Sequence, residues 1–238
     1  MWNKKKWYRR FKWKNNPFSI KVNSEIFVGL TEERKTLASL VEGGNICLLI
    51  GDNGVGKSSL LRWLETRIKN FTILYLNSEW VKNDFDPDIW LKKQASFFRS
   101  YPKNIVLLID EAQKLDNRLR IDVQAMWEQG IVKSIVFSHD GEAKYESLPT
   151  QLKSRIGNRV IRIKKLKKED AYDLIRLRCG GKNPFDANAM DEIIKRSNGI
   201  PRKVLELCER VCILTDKDAI SKYEVIRILG DMPEINLK

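Results

Sequence analysis

The stretch ICLLIGDNGVGKSSLL, residues 46–61, decides the fold. Ile46 to Ile50 is a short, wholly apolar run, which reads as a strand buried on both faces. Gly51-Asp52-Asn53-Gly54-Val55-Gly56-Lys57-Ser58 follows it and matches G-x-x-x-x-G-K-[ST]. In that pattern the glycines let the backbone curl until successive N–H groups point inward at phosphate oxygens. The helix opening at Ser58 adds the positive end of its dipole.

Those residue types set the expected chemistry. Lys57 would reach the β- and γ-phosphates of a nucleotide, and the Ser58 hydroxyl would bind Mg²⁺. Gly51, Asp52, Asn53, Gly54, Val55, Gly56, Lys57, Ser58 and Ser59 are therefore the candidate contacts to ATP. Val106-Leu107-Leu108-Ile109-Asp110-Glu111 is a second apolar run, tipped by two acids. Ligands of open α/β sheets sit at the carboxyl ends of the strands. Asp110 is expected to bind Mg²⁺ through water, and Glu111 to polarise the attacking water as general base.

Outward from these motifs, strands and helices alternate. TILYL (72–76), IVKSIVF (131–137) and RVIRI (159–163) read as further strands, with helices from Thr31, from Ser58, over about 88–101 and over 118–129. Thr31 is the expected N-cap of the first helix, and Gly43-Gly44 ends it. This is an α/β pattern with a parallel five-stranded sheet. Beyond about residue 166 the pattern is helical. Pro201 is placed as a first helical residue, and Ser221-Lys222-Tyr223-Glu224 as a capping box. The expected domains are a basic aromatic arm over 1–16, read as flexible, an α/β nucleotide-binding domain over 17–165 and a helical lid over 166–238.

Three more features fit nucleotide chemistry. The fourth strand ends in Phe137-Ser138-His139-Asp140, where Ser138 or His139 could touch the γ-phosphate or the attacking water. Leu152-Lys153-Ser154-Arg155-Ile156 precedes the fifth strand. Arg155, or as second choice Arg159, could project at a neighbouring subunit's γ-phosphate as an arginine finger. Ser197-Asn198-Gly199-Ile200-Pro201-Arg202 opens a helix whose Arg202 could reach back to the phosphates. The candidate catalytic set is Lys57, Glu111, Arg155, Arg202 and His139.

This combination resembles the AAA+ superfamily over roughly residues 15–230. Within it, QLKSRIGNRVIRIKKLKKEDAYDLIRLR, FDANAMDEIIKRSNGIPRKVLELCERV and Asn16-Pro17-Phe18 are similar to general-secretion-pathway protein A and transposition ATP-binding proteins. Origin-recognition and replication-initiator ATPases are next nearest. The resemblance implies a P-loop three-layer sandwich with a small all-α lid, ATP-dependent homo-oligomers and work on DNA or large assemblies. His139 departs from the amide usual in that group, and Gly29-Leu30 from the Gly-Arg of the initiators. The sequence to residue 238 shows no winged helix or peptidoglycan-binding extension like those of these relatives. DNA contacts are therefore expected on the arm and the AAA+ surface.

Charge supports such a partner. The net charge is +13, and residues 1–14 carry seven Lys or Arg while 153–168 carry eight, neither block holding an acid. The rest of the chain sums to −2. Basic blocks attract nucleic acid or anionic membrane. Trp2, Trp7, Tyr8, Phe11 and Trp13 could stack on exposed bases. Three readings follow: a DNA-associated switch in replication, transposition or a related process, a membrane-surface or secretion-assembly ATPase, and a protein-binding switch with negligible turnover. No apolar run approaches the ~20 residues of a spanning helix, and no secretory signal opens the chain, so the cytoplasm is expected. Four cysteines without a C-x-x-C pair, and one histidine, argue for core thiols rather than zinc.

Overall fold

The computed structural model describes residues 4–22, 26–82, 84–94, 101–141 and 148–230. Contacts divide the chain into an α/β unit, Leu30–Lys164, and a helical unit built from both ends of the sequence, Met1–Gly29 and Lys165–Lys238.

All five expected strands form. They are β1 (Ile46–Gly51), β2 (Thr72–Asn77), β3 (Ile105–Asp110), β4 (Val132–Asp140) and β5 (Val160–Arg162). Every pairing is parallel, in the order β2-β3-β4-β1-β5. The helices of this unit are α1 (Thr31–Glu42), α2 (Lys57–Arg67), α3 (Pro87–Lys93), α4 (Asn117–Glu128) and α5 (Thr150–Ile156). The helix expected over 88–101 is α3 as far as Lys93; residues 95–100 lie outside the described residues.

Strand pleating sorts the core. Ile46, Leu48, Ile50, Ile105, Leu107, Ile109, Ile135 and Phe137 share one face and pack with Leu91 of α3, Leu119, Val123 and Met126 of α4, and Leu152 and Ile156 of α5. The alternate residues, among them Leu49, Leu108 and Val136, face the other way, where α1 and α2 lie. Removing such apolar surface from water contributes about 25 cal/mol per Å², so both faces of the sheet are covered, as a parallel sheet requires.

Two local expectations change. Thr31 is the first residue of α1 rather than its cap; Leu30 occupies the cap position in a left-handed conformation, φ 53°. Ser221 does cap a helix by position, but its side chain makes no capping bond. Glu224, which the capping box would turn back on Ser221, instead accepts from Thr215 and Arg227.

The helical unit contains α6 (Lys168–Arg178), α7 (Ala187–Ser197), α8 (Pro201–Leu214) and α9 (Lys222–Leu229). Among the described residues a parallel bridge, Phe185 to Ile220, interrupts its helical character. Pro201 is the first residue of α8, as expected. Gly199 before it has φ 67°, and a Cβ there would sit 2.8 Å from the Leu166 carbonyl oxygen, so the turn into α8 requires glycine.

The arm is the main departure. Lys4–Phe11 is 3-10 helical with a kink at Lys6, and residues up to Gly29 belong with the helical unit, not with the α/β domain expected from residue 17. Phe18 is 0% exposed in a core shared with α6, α7 and α8, and Trp7, Phe11 and Trp13 pack against it. The rings expected on the surface are therefore largely spent inside the protein; Trp2 lies outside the described residues. Cys179, Cys208 and Cys212 are buried in this unit and Cys47 in the sheet, the core thiols anticipated. Burial pushes the Cys179 thiol up to about 12. Among the described residues no helix is long and apolar enough to cross a membrane.

Candidate functional site

The carboxyl edge of the sheet gathers the expected residues in layers. β1 ends at Gly51, and the loop returns into α2 through Gly56, whose φ of 114° is one that residues with a Cβ rarely adopt. α2 begins at Lys57. The Lys57 side chain is only 5% exposed, and its ammonium donates to Gly51 O at 2.7 Å and to Asp52 O at 3.1 Å. Asp140 Oδ1, at the tip of β4, lies 3.7 Å away. Burial pulls the Lys57 pKa below the usual lysine value, and Asp140, Glu111 and Asp110 hold it up. A buried cation cradled by loop carbonyls and flanked by three carboxylates is well suited to an anionic ligand that brings its own acceptors.

Asp110 ends β3 at 1% exposure, and donors meet both its oxygens. Tyr75 Oη donates to Oδ2 at 2.6 Å; Ser138 Oγ donates to Oδ1 at 2.5 Å, and the Glu111 N–H to Oδ1 at 3.1 Å. Three donors on one carboxylate fix its rotamer. Glu111 turns the chain sharply out of the strand in a left-handed conformation, φ 54°. Its Oε2 accepts from Gln113 Nε2 at 2.6 Å, and Gln113 Oε1 accepts from the Asp140 N–H at 3.2 Å. Gln113 thus ties the acid after β3 to the tip of β4.

β4 runs three residues past the expected Phe137, and that extension separates the two candidate sensors. Ser138 shares the face of Val136 and meets Asp110. His139 continues the row of Ile135 and Phe137 toward the α3–α5 side, and it is 0% exposed. Consecutive strand residues cannot face the same way. His139 therefore does not join the polar set around Asp110; Ser138 does so as a support for that acid.

The arginines lie elsewhere. Arg155 is near the end of α5, and its Nε donates to Glu128 Oε1 at 2.7 Å. Glu128 closes α4 just before β4 begins, so this pair marks the amino edge of the sheet, opposite the phosphate loop. Arg155 stays 52% exposed. Arg159 Nη1 donates to the carbonyls of Arg155 and Ile156, capping α5. Arg202 is the second residue of α8, in the helical unit, and is exposed.

Sequence reasoning missed Tyr75, Gln113 and Asp140 as parts of the site. It also missed Arg62, whose guanidinium lies 3.5 Å over the Tyr75 ring. Among the described residues no group of three or more His, Cys, Asp or Glu is placed to hold a metal ion by itself. Mg²⁺ commonly takes one or two protein oxygens and completes its shell with water and phosphate.

A phosphate loop between β1 and α2, an acid-tipped β3 and the order β2-β3-β4-β1-β5 together define a P-loop nucleotide-binding protein of the AAA+ class. The chain belongs to the bacterial DnaA ATPase domain family, whose model matches residues 34–162, more than half of its length. The chromosomal replication initiator protein DnaA of Cutibacterium acnes is 30% identical over 120 residues, which is 47% of this chain and 24% of the initiator. An uncharacterized HTH-type transcriptional regulator of Methanocaldococcus jannaschii is 22% identical, over 90% of this chain and 71% of the regulator. Among solved structures, the Holliday junction branch migration motor RuvB of Thermotoga maritima has a TM-score of 0.65 at 19% identity, over 90% of this chain and 72% of that one. That likeness speaks to fold. The AAA+ resemblance read from the sequence is borne out, and the matched family is on the initiator side, which the sequence placed next nearest.

Proposed function

We propose that this protein binds ATP with Mg²⁺, hydrolyses it as a homo-oligomer, and acts on DNA as a nucleotide-dependent switch in replication, transposition or a related process. The observation that carries the reading is the juxtaposition at one sheet edge of buried Lys57, with loop carbonyls and Asp140 around it, and Asp110 held by Tyr75 and Ser138.

Phosphoryl transfer is mostly positioning and charge neutralisation. Residues Gly51 to Ser59 take the phosphates, with Lys57 exchanging its carbonyl partners for phosphate oxygens. Ser58 and, through water, Asp110 would hold Mg²⁺, which neutralises charge on the β- and γ-phosphates. Glu111 accepts the proton of the attacking water, and the Gln113 amide keeps its carboxylate oriented. Arg155, at the amino edge and exposed, cannot serve the loop at the opposite edge of its own sheet, which favours action on a neighbour's nucleotide. Arg202 keeps its proposed role as a sensor of bound nucleotide.

DNA is the proposed partner because of the two basic blocks and because relatives are named for replication initiation, transcriptional regulation and branch migration. The test is ATP turnover with and without duplex DNA at low and moderate salt. DNA-stimulated turnover that salt weakens, that Lys57→Ala abolishes with binding, and that Glu111→Gln abolishes while binding persists, is expected. Turnover indifferent to DNA at every salt would overturn the DNA part and leave the nucleotide site standing.

A further inference from the structure

The arm that looked like a free basic, aromatic tail is sorted into two sides. Its rings turn inward. Trp7 stacks on Phe18 with centroids 6.1 Å apart and planes 9° from parallel; Phe11 stacks on Trp13 at 4.7 Å and 22°. Phe18 in turn touches the ring of Phe185 at 6.2 Å. One cation is anchored with them. The Arg10 guanidinium donates to Thr215 O at 2.5 Å and Cys212 O at 3.2 Å, capping α8, and lies 3.7 Å from Asp218. Asn16 then fixes the exit of the arm, donating to Glu209 at 2.7 Å and accepting from the Phe18 N–H at 2.9 Å.

Four other cations turn outward. Lys6, Arg9 and Lys12 recur every third residue and are all exposed, as is Lys14, whereas Trp7, Arg10 and Trp13, one residue later in each triplet, are half-buried. Lys4–Phe11 is 3-10 helical on either side of a kink at Lys6, so the recurrence of three is a feature of the sequence and of exposure rather than of one continuous helix. No ion pair joins any of the four to a described acid. Four exposed cations without a described acid partner, held on a ring-anchored scaffold, suit a polyanion.

Resting on the reading that this protein acts on DNA, we propose that the folded arm is a phosphate-gripping edge, Lys6, Arg9, Lys12 and Lys14, which holds a nucleic-acid backbone without stacking on its bases. Contacts of this kind position a protein on DNA and carry no sequence information.

The test uses the full chain and a fluorescent mixed-sequence duplex, with affinity followed between about 50 and 200 mM salt. Wild type is compared with the quadruple variant Lys6→Gln, Arg9→Gln, Lys12→Gln, Lys14→Gln. Unchanged tryptophan emission reports that the arm remains folded. The expected result is a plot of log affinity against log salt whose slope is shallower by about three to four in the variant. Equal binding of intact and abasic single strands, without tryptophan quenching, is also expected. An unchanged slope overturns the proposal while leaving DNA association in place. Absence of any wild-type binding at low salt overturns both. Quenching with a preference for intact bases overturns it by showing that the rings leave the interior. Co-sedimentation with phosphatidylserine vesicles, lost in the variant while its DNA slope is unchanged, overturns it in favour of a membrane.

Discussion

The phenol of Tyr75 donates to Asp110 Oδ2 at 2.6 Å from the neighbouring strand, while the Arg62 guanidinium lies 3.5 Å over its ring. The parallel register explains the reach. Tyr75 pairs with Leu108 and Asn77 with Asp110, so Tyr75 shares the face of Asp110 and leans along it. Tyr75→Phe keeps the ring under Arg62 and removes one donor from a buried carboxylate. Hydrogen bonds to charged groups contribute roughly 1.5–3 kcal/mol. Affinity for ADP is expected to fall by about tenfold in the presence of Mg²⁺ and little in its absence, read by calorimetric titration. An equal loss in both would assign Tyr75 to packing alone.

The same contact has a pH signature. Burial first, then the hydrogen bond and charge of Asp110, raise the Tyr75 pKa, against a lowering by Arg62. A raised folded-state value means the folded protein holds the proton more tightly. Its stabilisation is fully present below about pH 10, the unfolded tyrosine value, and is lost as pH rises toward the folded one. Urea midpoints should therefore decline more steeply above pH 10 for wild type than for Tyr75→Phe. Lys57, whose pKa is lowered, gives a slope of opposite sign, but it is common to both proteins and cancels in the comparison.

Ser138 and His139 are adjacent and should fail differently. Ser138→Ala removes a donor to Asp110 and is expected to slow turnover while costing roughly 1.5–3 kcal/mol of stability. His139→Ala empties a fully buried site and is expected to cost about 2–4 kcal/mol in urea unfolding. Its turnover per folded molecule should stay near wild type. If His139→Ala were stable and inactive, the side chain would have to reach the nucleotide after all.

Arg155 offers a test in mixed assemblies. Its pair with Glu128 is exposed, and such pairs stabilise little, so Arg155→Ala should melt like wild type while turnover falls by roughly 10³-fold. Mixing Arg155→Ala with Lys57→Ala should restore part of the activity, because each supplies what the other lacks across a subunit boundary. No recovery in the mixture would assign the finger to Arg159 or to no arginine in this segment.

The arm should behave as core. Phe18→Ala deletes a side chain with no exposure and three aromatic neighbours, and is expected to cost roughly 3–5 kcal/mol. Arg10→Ala should cost less, about 1–2 kcal/mol, through the uncapped end of α8. Both are read by urea unfolding followed by tryptophan fluorescence. A flexible arm would leave the unfolding curve unmoved.

What the sequence made legible, and what it hid, follows from range. The runs 46–50 and 105–109 announce strands because burial on both faces leaves them wholly apolar, and G-x-x-x-x-G-K-[ST] is a local backbone demand written in adjacent residues. Tyr75 passed for an ordinary strand residue in TILYL, because its partner Asp110 is set by register between strands. Ser138 and His139 read as equal candidates because ending the strand at Phe137 leaves residues 138–140 free to point anywhere, whereas continuing it to Asp140 imposes the pleat. The arm lacked a 3.6-residue period and read as irregular, although its period of three was present. Its burial depended on α8, some two hundred residues away, which no local window contains.

That separation has a consequence on the ribosome. Arg10 and the carbonyl it caps are 205 residues apart in sequence, with the whole α/β unit encoded between them. At about 5–20 residues per second, roughly 10–40 s pass between synthesis of the arm and synthesis of α8. Through that interval Trp7, Phe11, Trp13 and Phe18 are exposed on the nascent chain beside a cluster of lysines and arginines, a pattern that invites chaperone capture. The arm, made well before α8, is among the last segments to find its place, and the phosphate loop can be complete before the arm is folded.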